Sequence, residues 1–203
     1  MTTITHVYVD MDGVLCSFCQ GVLRLFGCVP AEQAELRVRG WGGLPDVINE
    51  GRPEWSHVSE DQVMTAVRDA GHQFWAELPI CPWAYQLIGT IEQAGVPYTL
   101  LTTPAGGESA MGKFQWLLRH MPHMEKRVVL ARDKWHLAGP GRLLVDDSPR
   151  NVGAWGSPPD GRPGGQAMLW PAPHNAEREL KFTSEIRAQA TVSLFDLDAR
   201  LRG

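Results

Sequence analysis

Val7-Tyr8-Val9-Asp10-Met11-Asp12-Gly13-Val14-Leu15 is the stretch around which the 203-residue chain is organised. Its first half is apolar and β-branched, which predicts a buried strand. The strand runs into two aspartates one residue apart and then a glycine. Side chains of an extended backbone alternate faces, so Asp10 and Asp12 project to one side of the strand's carboxyl end while Met11 points away. Two carboxylates then share a small volume. Gly13 lets the chain turn sharply and come close to a ligand without a Cβ in the way. Like charges this close raise one pKa unless a cation sits between them, so the pair implies either a bound metal or a division into base and acid.

Composition narrows the class. A chain of this length can bury one core, or one core plus a modest inserted lobe. A hydrophobic content of 43% is ordinary for a globular protein, and 21% charged residues exclude a disordered tail. The net charge of -4 carries no basic stripe, which argues against polymeric nucleic acid as partner. No apolar run is long enough to span a bilayer, and the N-terminus enters strand pattern without a leader, so a cytoplasmic protein with no membrane partner is expected. Homodimerisation is left open. Cys16, Cys19, Cys28 and Cys81 include one C-x-x-C, but no second ligand pair follows for zinc, and packing is the expected role of these thiols.

Outward from the aspartates, Ser17 to Phe26 reads as a short amphipathic helix stopped by Gly27. From Cys28 to about Phe74 no strand-like run occurs. One helix there is well marked, by a capping box at Ser59 and Gln62, a stripe of Val63, Ala66, Val67 and Ala70, and Gly71 as its stop. An alternating pattern resumes at about Leu78. It comprises a helix over 82–94, a strand ending in Thr102-Thr103, a helix over 109–120 and a strand over 127–131 with the turn Arg132-Asp133-Lys134. A strand over 142–145 ending in Asp146-Asp147 follows, then a Gly/Pro-rich loop over 153–165, a last strand over 167–170 and a charged helix-prone tail from Ala176. Strands alternating with helices predict an α/β fold with a doubly wound, mostly parallel sheet. The expected division is a catalytic core of residues 1–19 plus 78–203 and a helical cap of residues 20–77.

Each polar cluster follows an apolar strand, so Asp10 and Asp12, Thr102 and Thr103, Lys134, and Asp146 and Asp147 should meet on the rim where open α/β sheets bind ligands. Acids for a metal, a hydroxyl and a lysine suit a phosphoryl group attacked by a carboxylate. Two other readings compete. Gly107 to Lys113 has the glycine and lysine spacing of a nucleotide kinase's phosphate loop, but Phe114 stands where Mg2+ needs a hydroxyl. A phospho-acceptor signalling domain also uses an aspartate, a threonine and a lysine at strand ends, but needs neither Asp12 nor an inserted lobe.

The four ordered motifs, Asp10 to Leu15, Leu101-Thr102-Thr103, Lys134 and Val145-Asp146-Asp147, resemble those of the haloacid dehalogenase superfamily of phosphohydrolases. Phe18, Phe74 to Leu78, Lys113-Phe114-Gln115-Trp116, Val129 to Lys134 and His174-Asn175 resemble the 5'(3')-deoxyribonucleotidase family. The resemblance implies hydrolysis of nucleoside monophosphates through an aspartyl phosphate. Asp10 would be the nucleophile and Asp12 the acid and then the base. Mg2+ would be held by Asp10, the backbone carbonyl of Asp12 and one of Asp146 and Asp147, with Asp147 the favoured direct ligand. Thr102, Thr103 and Lys134 would bind phosphate oxygens. Phe18, Trp41 and Trp75 are candidates to stack on a base. Several of the eight tryptophans must be core, and His174 is expected to be structural.

Overall fold

The computed structural model describes residues 3–176 and 183–203. Five strands form one sheet: β1 His6–Val9, β2 Tyr98–Thr102, β3 Val128–Leu130, β4 Arg142–Asp146 and β5 Gln166–Leu169, in the order β3-β2-β1-β4-β5. Every adjacent pair is parallel. The apolar runs explain why, since parallel strands are covered on both faces and have no solvated side to mark with polar residues. Val7, Val9, Leu100, Leu143 and Val145 join the main core on one face, and Tyr8, Leu101, Leu144 and Trp155 pack on the other.

The chain winds outward from β1 to β3, then returns across the sheet to lay β4 against the free side of β1. That reversal opens a crevice between the carboxyl ends of β1 and β4. Val9 is in register with Val145, so the next residues, Asp10 and Asp146, leave the sheet side by side.

Helix α1 (Phe18–Leu25) starts where the sequence predicts, with the Ser17 hydroxyl accepting from the Gln20 amide. Helices α2 (Ala31–Glu35), α3 (Leu44–Asn49), α4 (Glu60–Asp69) and α5 (Gly71–Ala76) make up the inserted region. Both hydrogen bonds of the Ser59 and Gln62 capping box are present. Gly71, at φ +65°, breaks α4 from α5. Helices α6 (Ala84–Gln93) and α7 (Gly107–His120) flank β2 in the chain. Helix α5 crosses α7 so closely that a Cβ on Gly112 would overlap the His72 carbonyl and the Trp75 side chain.

One expected loop is a helix. The segment over 153–165 begins inside α8 (Pro149–Gly156), which Ser148 caps through the Asn151 amide and Pro149 opens. Serine before proline is an N-terminal helix signal, and burial of Trp155 against Tyr8 holds the helix on the sheet despite its glycines. Of the expected tail, residues 177–182 lie outside the described residues, and α9 (Thr183–Arg202) follows. Among the described residues no helix is long and apolar enough to cross a membrane.

Candidate active site

A cavity of about 690 Å³ opens at the carboxyl ends of β1 and β4, with Asp10, Asp12, Thr103, Lys134 and Asp147 on its wall. Carboxylate oxygens of Asp10, Asp146 and Asp147 lie within 4.8 Å of one another, all three residues buried. Lys134 stands between two of them, its Nζ 2.6 Å from Asp10 Oδ1 and 2.7 Å from Asp146 Oδ2. Burial pulls its ammonium down, but the Asp10 and Asp146 charges outweigh this, and its pKa is raised overall. The lysine therefore stays charged and ties β1 to β4 across the crevice.

The three acids are held differently. Asp10 Oδ1 takes both the Met11 amide at 2.7 Å and Lys134, which leaves Oδ2 as the oxygen without an anchor among the described residues. Asp146 accepts from Lys134, the Ser148 amide and the Asn151 amide group, so both its oxygens are occupied. Asp147 is buried, and among the described residues no donor meets either oxygen with hydrogen-bond geometry, although His174 Nε2 lies 3.0 Å from Oδ2. Burial, reinforced by the Asp10 charge, lifts the Asp146 and Asp147 carboxyls well above the usual range. Unsatisfied buried carboxylate oxygens are costly. Three converging acids, of which Asp147 has both oxygens and Asp10 has Oδ2 without a hydrogen-bond donor among the described residues, fit a hard divalent cation, and Asp10, Asp146 and Asp147 are the residues that could hold one.

Gly13 explains how Asp147 comes so near. Its φ is +78°, and a Cβ there would overlap the Asp147 carboxylate. The close approach that the glycine permits is to this acid. Asn175 secures the same loop, its side chain donating to the carbonyls of Asp147 at 2.7 Å and Trp170 at 2.8 Å. His174, expected to be purely structural, thus touches the acid cluster.

The second hydroxyl pair divides. Thr103 reaches the cavity but donates its hydroxyl to the Ala131 carbonyl at 2.9 Å. Thr102 is 1% exposed and faces inward, off the cavity wall, because successive residues at a strand end point to opposite sides. Its hydroxyl accepts from Lys113 at 2.8 Å. The structure places the Thr102 hydroxyl, expected beside a phosphate, in a buried position beside a lysine. Lys113 is also 2.5 Å from Asp12 Oδ2. In the sequence this lysine belongs to the competing kinase loop and to the Lys113-Phe114-Gln115-Trp116 motif, with no place expected for it in the site, although a signal was there. Ser109, Gly112, Lys113, Trp116 and Leu117 form the buried stripe of α7, and a lysine inside such a stripe needs a partner.

Two of the three expected base-stacking residues lie away from the cavity wall. Phe18 and Trp75 are 8% and 6% exposed and stacked on each other, centroids 5.4 Å apart, and neither lines the cavity. Large apolar rings beside a tight helix crossing gain more from burial than from facing water. Trp75 instead covers Lys113, whose Nζ is 5.3 Å from the ring centroid. Trp41 opens a 3-10 turn over Trp41–Gly43, and its side chain lies outside what the structure describes. No described residue of the 20–77 region lines the cavity. Its outer wall comes from Arg132, Asp133, Trp135, Arg150, Asn151 and Pro159. The cysteines are free, and burial pushes the Cys16, Cys19 and Cys81 thiols up, which suits the expected packing role. Gly107 to Lys113 is helical from its first residue and its lysine is buried, so it offers no loop of amides to a nucleotide.

No protein-family model matches the sequence, and no curated protein does. Solved structures do. A hydrolase from Streptococcus pneumoniae TIGR4 is 13% identical at a TM-score of 0.52, over 94% of this chain and 99% of that one. A haloacid dehalogenase-like family hydrolase from Xanthomonas campestris is 14% identical at 0.48, over 98% and 94%. A haloacid dehalogenase family hydrolase from Deinococcus radiodurans, whose structure holds phosphate and sodium, is 15% identical at 0.47, over 96% and 98%. At such identity the likeness to the Streptococcus pneumoniae hydrolase shows the fold, and the chain is an α/β protein on that same parallel-sheet architecture.

Proposed function

We propose that this chain is a divalent-metal-dependent phosphomonoester hydrolase of the haloacid dehalogenase type, working through an aspartyl phosphate. The observation that carries the reading is the meeting of Asp10, Asp12, Lys134 and Asp147 on the wall of one cavity, with Lys134 bridging Asp10 and Asp146. Anchoring of Asp10 Oδ1 leaves Oδ2 to attack phosphorus. Asp12, two residues on and on the same wall, would protonate the departing ester oxygen and then take a proton from the water that cleaves the acyl phosphate. Lys134 offsets the carboxylate charge that would otherwise repel an incoming phosphate. A divalent cation, Mg2+ in our reading, would be held by Asp10, Asp147 and the Asp12 carbonyl, with Asp146 behind them. It would supply charge neutralisation on the phosphate oxygens.

For the substrate, the motif resemblance supports a deoxyribonucleoside monophosphate, with residues 20–77 taken as the cap. A second reading is favoured by the cavity wall. Arg132 and Arg150 are exposed there, and neither has an ion-pair partner among the described residues. Among the described residues the wall's one aromatic ring, Trp135, already has His136 at 3.9 Å and the Arg162 guanidinium at 5.5 Å. Two unpaired guanidinium groups suit a small phosphate ester bearing a second anionic group.

The test is phosphate release from nucleoside monophosphates, sugar phosphates and bisphosphates, with Mg2+ or EDTA, by the wild type and Asp10→Asn. Expected are Mg2+-dependent release and near-complete loss in the variant. Equal turnover of every ester would remove the nucleotide assignment, and turnover surviving Asp10→Asn would remove the covalent route.

A further inference from the structure

Lys113 is bound by three acceptors. Its Nζ is 2.5 Å from Asp12 Oδ2, 2.8 Å from Thr102 Oγ1 and 2.8 Å from the Thr103 carbonyl. An ammonium has three protons, so all are spent and none remains for a substrate oxygen. The side chain is 2% exposed, lies under the Trp75 ring and does not line the cavity. Asp12 does line it. Its other contact among the described residues is Cys16 Sγ, 3.6 Å from Oδ1, a weak donor at a long distance. Lys113 is therefore what sets the direction of the Asp12 carboxylate.

Resting on the phosphatase reading, we infer that Lys113 is a positioning residue for Asp12. Thr102 and the Thr103 carbonyl, fixed at the end of β2, hold the ammonium from one side, and the ammonium holds the carboxylate from the other. Without it, the partly exposed Asp12 side chain turns among its rotamers, and an acid misplaced by about 1 Å loses on the order of a hundredfold in rate. This role accounts for a charged residue in the buried stripe of α7. It also gives Trp75 a purpose, since its ring covers the ammonium and leaves Asp12 as the lysine's charged partner.

The experiment compares kcat/KM for two esters with the same phosphoryl group. p-Nitrophenyl phosphate loses a phenolate that departs unassisted, whereas a deoxynucleoside 5'-monophosphate loses an alkoxide that needs a proton. Lys113→Met is expected to lower kcat/KM about a hundredfold on the nucleotide and less than about tenfold on the aryl ester, with the circular dichroism spectrum kept. In an Asp12→Asn background the same change should add less than about threefold, because the two groups act as one. An equal fall on both esters, or a full further hundredfold in the Asp12→Asn background, overturns the assignment. Should Lys113→Met fail to fold, Lys113→Gln and Thr102→Val carry the same comparison. A wild type that releases phosphate from neither ester defeats the phosphatase reading itself, which is a separate result.

Discussion

Stripping divalent cations from this protein should destabilise it more as the pH rises from 5 to 7.5. The perturbation acts on the buried acids at the ends of β1 and β4. Burial, with the Asp10 charge beside them, pushes the Asp146 carboxyl up to about 7 and that of Asp147 up to about 6. A carboxyl whose pKa is higher in the folded chain than in the unfolded one binds its proton more tightly when folded. Its contribution is therefore complete below the unfolded pKa, near 4, and is lost as the pH climbs through the folded value. For Asp146 the rise from 3.8 is about three pH units, which at ~1.36 kcal/mol each bounds the loss at about 4 kcal/mol. Lys134 titrates above this window and does not alter the sign. A bound cation supplies the positive charge that the proton otherwise brings, so its stabilisation should grow over the same range. If half of the bound is realised, about 2 kcal/mol, a chain of this size shifts in Tm by about 4 to 8 °C. The assay is thermal unfolding at pH 5, 6 and 7.5 with EDTA or Mg2+, on the wild type and Asp147→Asn. A metal-free Tm that stays flat or climbs toward pH 7.5, with the same Mg2+ response at each pH, would refute the reasoning. In Asp147→Asn both the pH slope and the Mg2+ response should shrink.

Three other changes have definite expected outcomes. Gly13→Ala places a Cβ on the Asp147 carboxylate at a φ that favours glycine, so phosphate release should fall at least about a hundredfold with the Mg2+ stabilisation largely lost. Thermal shift with and without Mg2+ checks it. Gly112→Val forces α5 off α7, and chemical denaturation should show a loss of about 3 kcal/mol or more. Arg150→Met, tested by steady-state kinetics, should raise KM several-fold for a bisphosphate while leaving p-nitrophenyl phosphate nearly unchanged; equal effects on both would place Arg150 on the transferring phosphate instead.

The sheet and the acid cluster were legible because both depend on local pattern plus a rule of topology. An apolar run ending in Asp10-Met11-Asp12, and another ending in Asp146-Asp147, place their acids at strand ends, and parallel winding brings those ends to one edge. The fates of Phe18, Trp75 and Thr102 were not legible. Periodicity says that an aromatic belongs on an inner face but not whether that face looks into a core or a cavity. For Phe18 and Trp75 the answer comes from Gly112, whose missing side chain lets α5 press onto α7. That crossing is a contact between residues about forty positions apart, which no local pattern encodes. Thr102 and Thr103 differ only in which way each faces at the end of β2, and a one-residue difference in register exchanges their roles. Lys113 lies between the two cases. The stripe 109, 112, 113, 116 and 117 marks it as buried from sequence alone, and a buried lysine requires an acid. Naming that acid as Asp12 needed the one thing the stripe omits, the direction in which α7 faces the end of β1.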